Sequence, residues 1–151
     1  DAKGDDLVLA GAGSDFVRSG KGDDTVHGEQ GNDRIFGGRG DDDLHGGEGR
    51  DKIFGGKGDD TITGGEGNDH LFGGRGSDTF VFDEGDGHDK VLDFNARVDK
   101  IDLSGFGFDG FGDIQHLIDR SFFRTSIDLG NTEIDLFGFN LWHLDEDNFI
   151  F

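Results

Sequence analysis

A phrase of nine residues opens at Asp1 and repeats nine times without a slip, ending at Val81. From Gly37 onward it reads GGRGDDDLH, GGEGRDKIF, GGKGDDTIT, GGEGNDHLF, GGRGSDTFV. The sixth position is aspartate in every copy: Asp6, Asp15, Asp24, Asp33, Asp42, Asp51, Asp60, Asp69 and Asp78. The fourth is always glycine, from Gly4 to Gly76, and the eighth is always apolar, from Val8 to Phe80. A fixed short period means stacked units, because one such unit cannot bury its apolar side chain alone.

Each phrase is expected to divide into a six-residue turn and a three-residue strand. Glycines at the first, second and fourth places open backbone angles closed to other residues. In the strand, one apolar side chain points inward and its two neighbours point out. Two phrases make one coil of 18 residues, and the alternation supports this. The third position is basic in odd copies (Lys3, Lys21, Arg39, Lys57, Arg75) and Ala12, Gln30, Glu48 or Glu66 in even ones. The ninth position of even copies runs Arg18, Phe36, Phe54, Phe72. Two alternating environments are what a two-sided roll requires.

On these residues the chain resembles the repeats-in-toxin (RTX) family, whose calcium-binding repeat is GGxGxDxUx. The resemblance covers residues 1–81 and implies an all-β, right-handed parallel β-roll with calcium held between successive turns on both edges. The donor chemistry agrees. Calcium is a hard cation taking six to eight oxygens, and carboxylates and crowded carbonyls are the abundant ligands here.

Carried over residue by residue, each ion sits between aspartates 18 apart. The odd edge offers four intervals from Asp6 to Asp78, and the even edge three from Asp15 to Asp69. A worn tenth copy, EGDGHDKVL at 84–92, brings Asp89 opposite Asp69 as an eighth. In the pair Asp24–Asp42, the carbonyls of Gly20 and Gly22 complete the shell from one loop and those of Gly37 and Arg39 from the next. On the odd edge the same scheme draws on Gly4, Ser19, Lys21, Gly38, Gly40, Gly55, Gly56, Lys57, Gly58, Gly73 and Arg75. On the even edge it draws on Gly11, Gly13, Gly28, Glu29, Gln30, Gly31, Gly46, Gly47, Glu48, Gly49, Gly64, Gly65, Glu66 and Gly67. Seven or eight divalent ions would cancel most of a net charge of −20. With one apolar residue per phrase the core is sparse. The roll is therefore expected to draw its folding energy from the metal.

The chain has no cysteine, which excludes thiolate metal sites and disulfides. It has no proline, as suits an unbroken ladder, and no methionine. Since it opens inside a repeat, it is expected to be a C-terminal part of a larger secreted protein, with the parent's own domain preceding it. No run approaches a membrane span.

The roll is expected over 1–92 and a cap over 93–151. Lys90 to Phe94 and Asp99 to Ser104 read as strands continuing the roll. They are similar to the segment after the repeats in serralysin-type proteases and mannuronan C-5 epimerase modules. Asp113 to Asp119 reads as a short helix with Ile114, Leu117 and Ile118 on one face. Ser126 to Leu129 and Glu133 to Leu136 alternate around Gly130-Asn131, a hairpin signal. The terminus Asp145 to Phe151 resembles the uncleaved signal of type I secretion substrates, and it also reads as a closing edge strand.

No nucleophile elbow, P-loop or HExxH is present, so this stretch is not expected to be an enzyme. His27, His45 and His70 read as outer-face residues rather than zinc ligands. Two functional classes remain. One is a calcium-triggered folding and export module served by a type I exporter. The other is a carbohydrate-binding module for an acidic polysaccharide such as alginate. The second would use the aromatic faces of Phe36, Phe54 and Phe72 beside Arg18, Arg34, Lys52 and His70. Alternatively, the phenylalanines only stabilise the sheet, and the basic third positions pair with Asp5, Asp23, Asp41 and Asp59. Nucleic acid is disfavoured by the net charge.

Overall fold

The computed structural model describes residues 2–121 and 124–151. Odd and even phrases fall into two facing sheets. The first takes Ala2–Lys3, Phe16–Lys21, Arg34–Arg39, Lys52–Lys57, His70–Arg75 and Gly87–Asn95 in that order. The second takes Leu7–Leu9, Thr25–Gln30, Asp43–Glu48, Thr61–Thr63, Thr79–Val81 and Lys100–Asp102. Neighbours within each sheet are parallel, and the repeats pair with an offset of one coil, as in Ile35↔Ile53 and Leu44↔Ile62. The 18-residue coil read from the sequence is the unit of the fold.

The eighth positions form a single file between the sheets. Val26, Ile35, Leu44, Ile53, Ile62, Leu71 and Phe80 are fully buried, whereas Val8 at the first coil is only partly covered. Each contributes about 1.5–3 kcal/mol of burial. That is little for the length of chain each one orders.

The expected split into a six-residue turn and a three-residue strand is corrected. Most strands in the roll run six residues, because the first three positions of the next phrase continue the ladder, as in Gly38↔Gly56 and Arg39↔Lys57. Only positions four to six are left for the loop. The glycines are in the ladder for lack of room. A Cβ on Gly28 would lie 2.5 Å from Oδ2 of Asp33 and 2.5 Å from the carbonyl of Gly46.

Beyond the repeats, both sheets grow. Gly87–Asn95 pairs in parallel with Thr132–Phe139, which forms an antiparallel hairpin with Thr125–Asp128 around Gly130 (φ 92°). The expected hairpin is present. Lys100–Asp102 continues the second sheet, while Ser104 begins a short 3-10 turn. Phe149–Ile150 pairs with it as the closing edge strand.

The expected helix from Asp113 to Asp119 is corrected. A four-residue helix, Phe111–Ile114, gives way to a 3-10 turn at Gln115–Leu117 and then to a strand, Ile118–Arg120. Its N-cap is Gly110, with no side-chain capping bond, so the helix starts weakly. Ile118 lies opposite Ile127 in the antiparallel ladder. A β-branched residue gains more there than in a fraying helix end.

Candidate calcium-binding edges

Each sixth-position aspartate is tied to the one a coil later. On the odd edge the amides of Asp6, Asp24, Asp42 and Asp60 donate to Oδ1 of Asp24, Asp42, Asp60 and Asp78 at 2.9, 2.9, 2.9 and 3.0 Å. On the even edge Asp15, Asp33 and Asp51 donate to Asp33, Asp51 and Asp69 at 2.7, 2.7 and 2.8 Å. The eighth interval is present too: the Asp69 amide donates to Oδ1 of Asp89 at 2.8 Å across a step of 20 residues.

The other oxygen of each of these carboxylates except that of Asp78 is left over. Oδ2 of Asp6, Asp15, Asp24, Asp33, Asp42, Asp51, Asp60, Asp69 and Asp89 is buried without a hydrogen-bond partner. A buried, unpaired acceptor is costly, and a row of them demands a cation. The cradles are narrow and lined by oxygen. Beside Gly28 and Gly46 the carboxylate of one loop and the first-position carbonyl of the next coil converge on a bare Cα. This donor set fits a hard cation of calcium's class and offers nothing to a soft one.

The same crowding shows in the titration of the metal-free carboxylates. Desolvation raises Asp42 and Asp51 to about 6, Asp60 and Asp69 to about 7, and Asp89 to about 8. Backbone N–H bonds oppose this, and neighbouring aspartates add to it. Bound divalent charge would reverse it.

The carbonyls divide into groups. Those of Lys21, Arg39, Lys57 and Arg75 accept the amides of Gly4, Gly22, Gly40 and Gly58, and those of Gln30, Glu48 and Glu66 accept Gly13, Gly31 and Gly49. Each keeps a second lone pair. The carbonyls of Gly20, Gly38, Gly47 and Gly56 each face the glycine stacked above, where a Cβ would collide. Ser19 departs from the pattern: its hydroxyl occupies the first-position space and donates to the Gly37 carbonyl at 2.8 Å.

Two carboxylates missed in the sequence extend the odd edge. The Asp78 amide donates to Oδ1 of Asp99 at 3.1 Å, and Asp93 accepts the amides of Gly73 and Gly74, both at 3.0 Å. Asp99-Lys100-Ile101-Asp102 carries the same aspartate-x-apolar-x signature as positions six to nine, which was the available signal.

Across the repeats, the charged residues on the strands of the first sheet are all basic. Its strands FVRSGK, RIFGGR, KIFGGK and HLFGGR contain no acidic residue. Phe36, Phe54 and Phe72 stack with centroids 4.6 and 4.5 Å apart and interplanar angles of 4° and 10°. The Arg18 guanidinium lies 5.3 Å from the Phe36 ring, and that of Arg34 lies 5.5 Å from it. The stacked faces of these rings therefore meet one another and the arginine guanidinium groups. His70 loses basicity through desolvation and then through Lys90, Lys52 and Arg50.

The basic third positions do not pair with the fifth-position aspartates. Oδ1 of Asp5, Asp23, Asp41 and Asp59 instead accepts the amide a coil later, at 2.7–2.9 Å. Among the described residues, the one ion pair to a lysine or arginine joins Arg124 to Asp135. The lysines and arginines of the repeat strands in the first sheet make no ion pair among the described residues.

Comparison with known families matches a model of the RTX calcium-binding nonapeptide repeat (4 copies) at residues 2–26, 9–44, 18–53, 45–80 and 54–90. The chain belongs to the RTX family. Repeats of this family bind calcium, and a roll built from them is a non-catalytic kind of domain. Among solved structures, the RTX chain is similar to the AlgE6R2 subunit of the mannuronan C5-epimerase of Azotobacter vinelandii. Identity is 30% over 94% of this chain and 93% of that one, with a TM-score of 0.52. It shares its fold with the extracellular lipase LipA of Serratia marcescens, at 19% identity and a TM-score of 0.51. That match covers 98% of the RTX chain but only 38% of the lipase chain. No curated protein sequence matches the chain.

Proposed function

We propose that the module folds on meeting extracellular calcium and so supports the export and stability of a larger secreted protein. The observation that carries this is the row of buried, unpartnered Oδ2 atoms along both edges. The ions, seven or eight of them, lie between the sixth-position aspartates of successive coils, from Asp6–Asp24 to Asp69–Asp89. Cytosolic calcium is too low to fill such sites, so the chain stays threadable inside the cell and folding is drawn forward outside by mass action. A type I exporter is the partner this reading requires, with Asp145 to Phe151 as the segment it recognises. Deleting Asp145 to Phe151 should leave the product inside cells carrying a matching exporter; normal export of the deleted form would overturn the reading.

A second reading has its own support. Cations on repeat strands that carry no acidic residue, in a chain of net charge −20, together with likeness to a mannuronan epimerase subunit, favour an acidic polysaccharide on that face. Recognition would rest on Arg18, Arg34 and Lys52, the stacked phenylalanines serving as a rigid backing. Arg34→Ala with Lys52→Ala should then abolish retention on a polyuronate at constant calcium. Retention equal to the unsubstituted chain would discard it.

A further inference from the structure

The joint between the last repeat and the cap hairpin holds a group unlike the loop edges. His88 lies on Gly87–Asn95, and Glu133 and Asp135 lie on Thr132–Phe139, paired in parallel so that His88 stands opposite Glu133. The imidazole sits between the two carboxylates, with Nε2 3.1 Å from Oδ2 of Asp135 and Nδ1 3.7 Å from Oε2 of Glu133. One ligand atom from each of the three residues falls within 4.8 Å of the others.

Asp135 supplies a second, independent observation. Its side chain is 1% exposed, and Oδ2 is held by Nη1 of Arg124 at 2.8 Å. Its Oδ1 is buried and has no partner at all. A carboxylate so deeply buried rarely leaves an oxygen unbonded, and the cost is relieved by a cation. Arg124 is a positioning residue: with His88 Nε2 it holds the carboxylate through Oδ2, while Oδ1 stays unbonded.

The identity of that ion follows from the nitrogen. An imidazole is a poor ligand for a hard cation and a natural one for borderline metals. Three protein ligands from imidazole and carboxylates, with remaining positions for water, are the donor set of an open zinc site. We propose that His88, Glu133 and Asp135 bind one divalent cation of the zinc class, chemically separate from the all-oxygen loop edges. Its ligands come from strands on either side of the joint, so the ion staples the tenth copy to the hairpin. The stacked His27–His45 pair, 4.6 Å between centroids, has Asp43 3.0 Å from His45 but forms no such group of three among the described residues, and it serves as the control.

The test uses the whole chain saturated with calcium, so that the loop edges are filled. Titration with Zn²⁺ by calorimetry, and with Co²⁺ by visible absorption, should give one equivalent per chain. His88→Ala should remove it and His45→Ala should keep it, with the calcium-induced circular dichroism of both unchanged. Should His88→Ala misfold, Glu133→Gln, at a half-exposed position, should weaken binding about tenfold or more. Absence of zinc binding in excess calcium would overturn the proposal. So would unchanged affinity in His88→Ala, or in Glu133→Gln.

Discussion

The backbone amide of Asp24 donates to Oδ1 of Asp42 at 2.9 Å, while Oδ2 of the same carboxylate is buried and unbonded. One oxygen thus ties successive coils together and the other is left unbonded. The relationship recurs down both edges, and on the proposed reading a cation bound there would make folding and metal binding one process.

Asp42 serves two intervals: it accepts the Asp24 amide, and its own amide donates to Asp60. Asp6 serves one, at the first coil. Solenoid stability is roughly a sum of neighbour terms. Asp42→Ala should therefore raise the calcium midpoint of folding more than Asp6→Ala, measured by circular dichroism during calcium titration. Equal shifts would contradict the coil-to-coil pairing.

Gly28 has no room for a methyl group, since its Cβ would press on both Asp33 Oδ2 and the Gly46 carbonyl. Nothing lies within 4 Å of a Cβ on Gly112. Gly28→Ala should destabilise the calcium-bound roll by about 1–3 kcal/mol, the usual range for overpacking. Gly112→Ala should change its stability hardly at all. Chemical denaturation at fixed calcium distinguishes the two, and equal stabilities would remove the steric role assigned to the first-position glycine.

Acid should partly replace the metal. The folded, metal-free carboxyls of Asp60, Asp69 and Asp89 stand at about 7, 7 and 8, above the ordinary value near 3.9. A carboxyl raised on folding favours the fold below its unfolded value and loses that contribution as pH rises through its folded value. The calcium-free chain should therefore gain β signal on going from pH 8 to about pH 4. An equally disordered chain at both ends of that range would contradict the electrostatic origin of the metal requirement.

The nonapeptide period made the coil, the two sheets and the eight aspartate pairs legible, because one turn of the solenoid leaves one mark at each position. What it hid lay where the period lapses or where packing decides. Asp93 and Asp99 act at steps longer than 18 residues, set by insertions that a strict register passes over. The ring stacking of Phe36, Phe54 and Phe72 is a choice of side-chain orientation that spacing leaves open. Ile118 follows the pairing offered by Ile127 rather than its local helical pattern. His88 and Asp135 meet across 47 residues, through a parallel pairing of roll and cap that no local signal announces.

The most direct measurement is the far-ultraviolet circular dichroism of the chain at neutral pH and low ionic strength, stripped of metal and then titrated. The stripped chain should be disordered. Calcium at about millimolar concentration, typical of extracellular modules, should bring up the β signal. Magnesium should fail to do so, because it holds its waters and demands a smaller octahedral shell. A chain already fully folded without metal would contradict the claim that calcium supplies its folding energy.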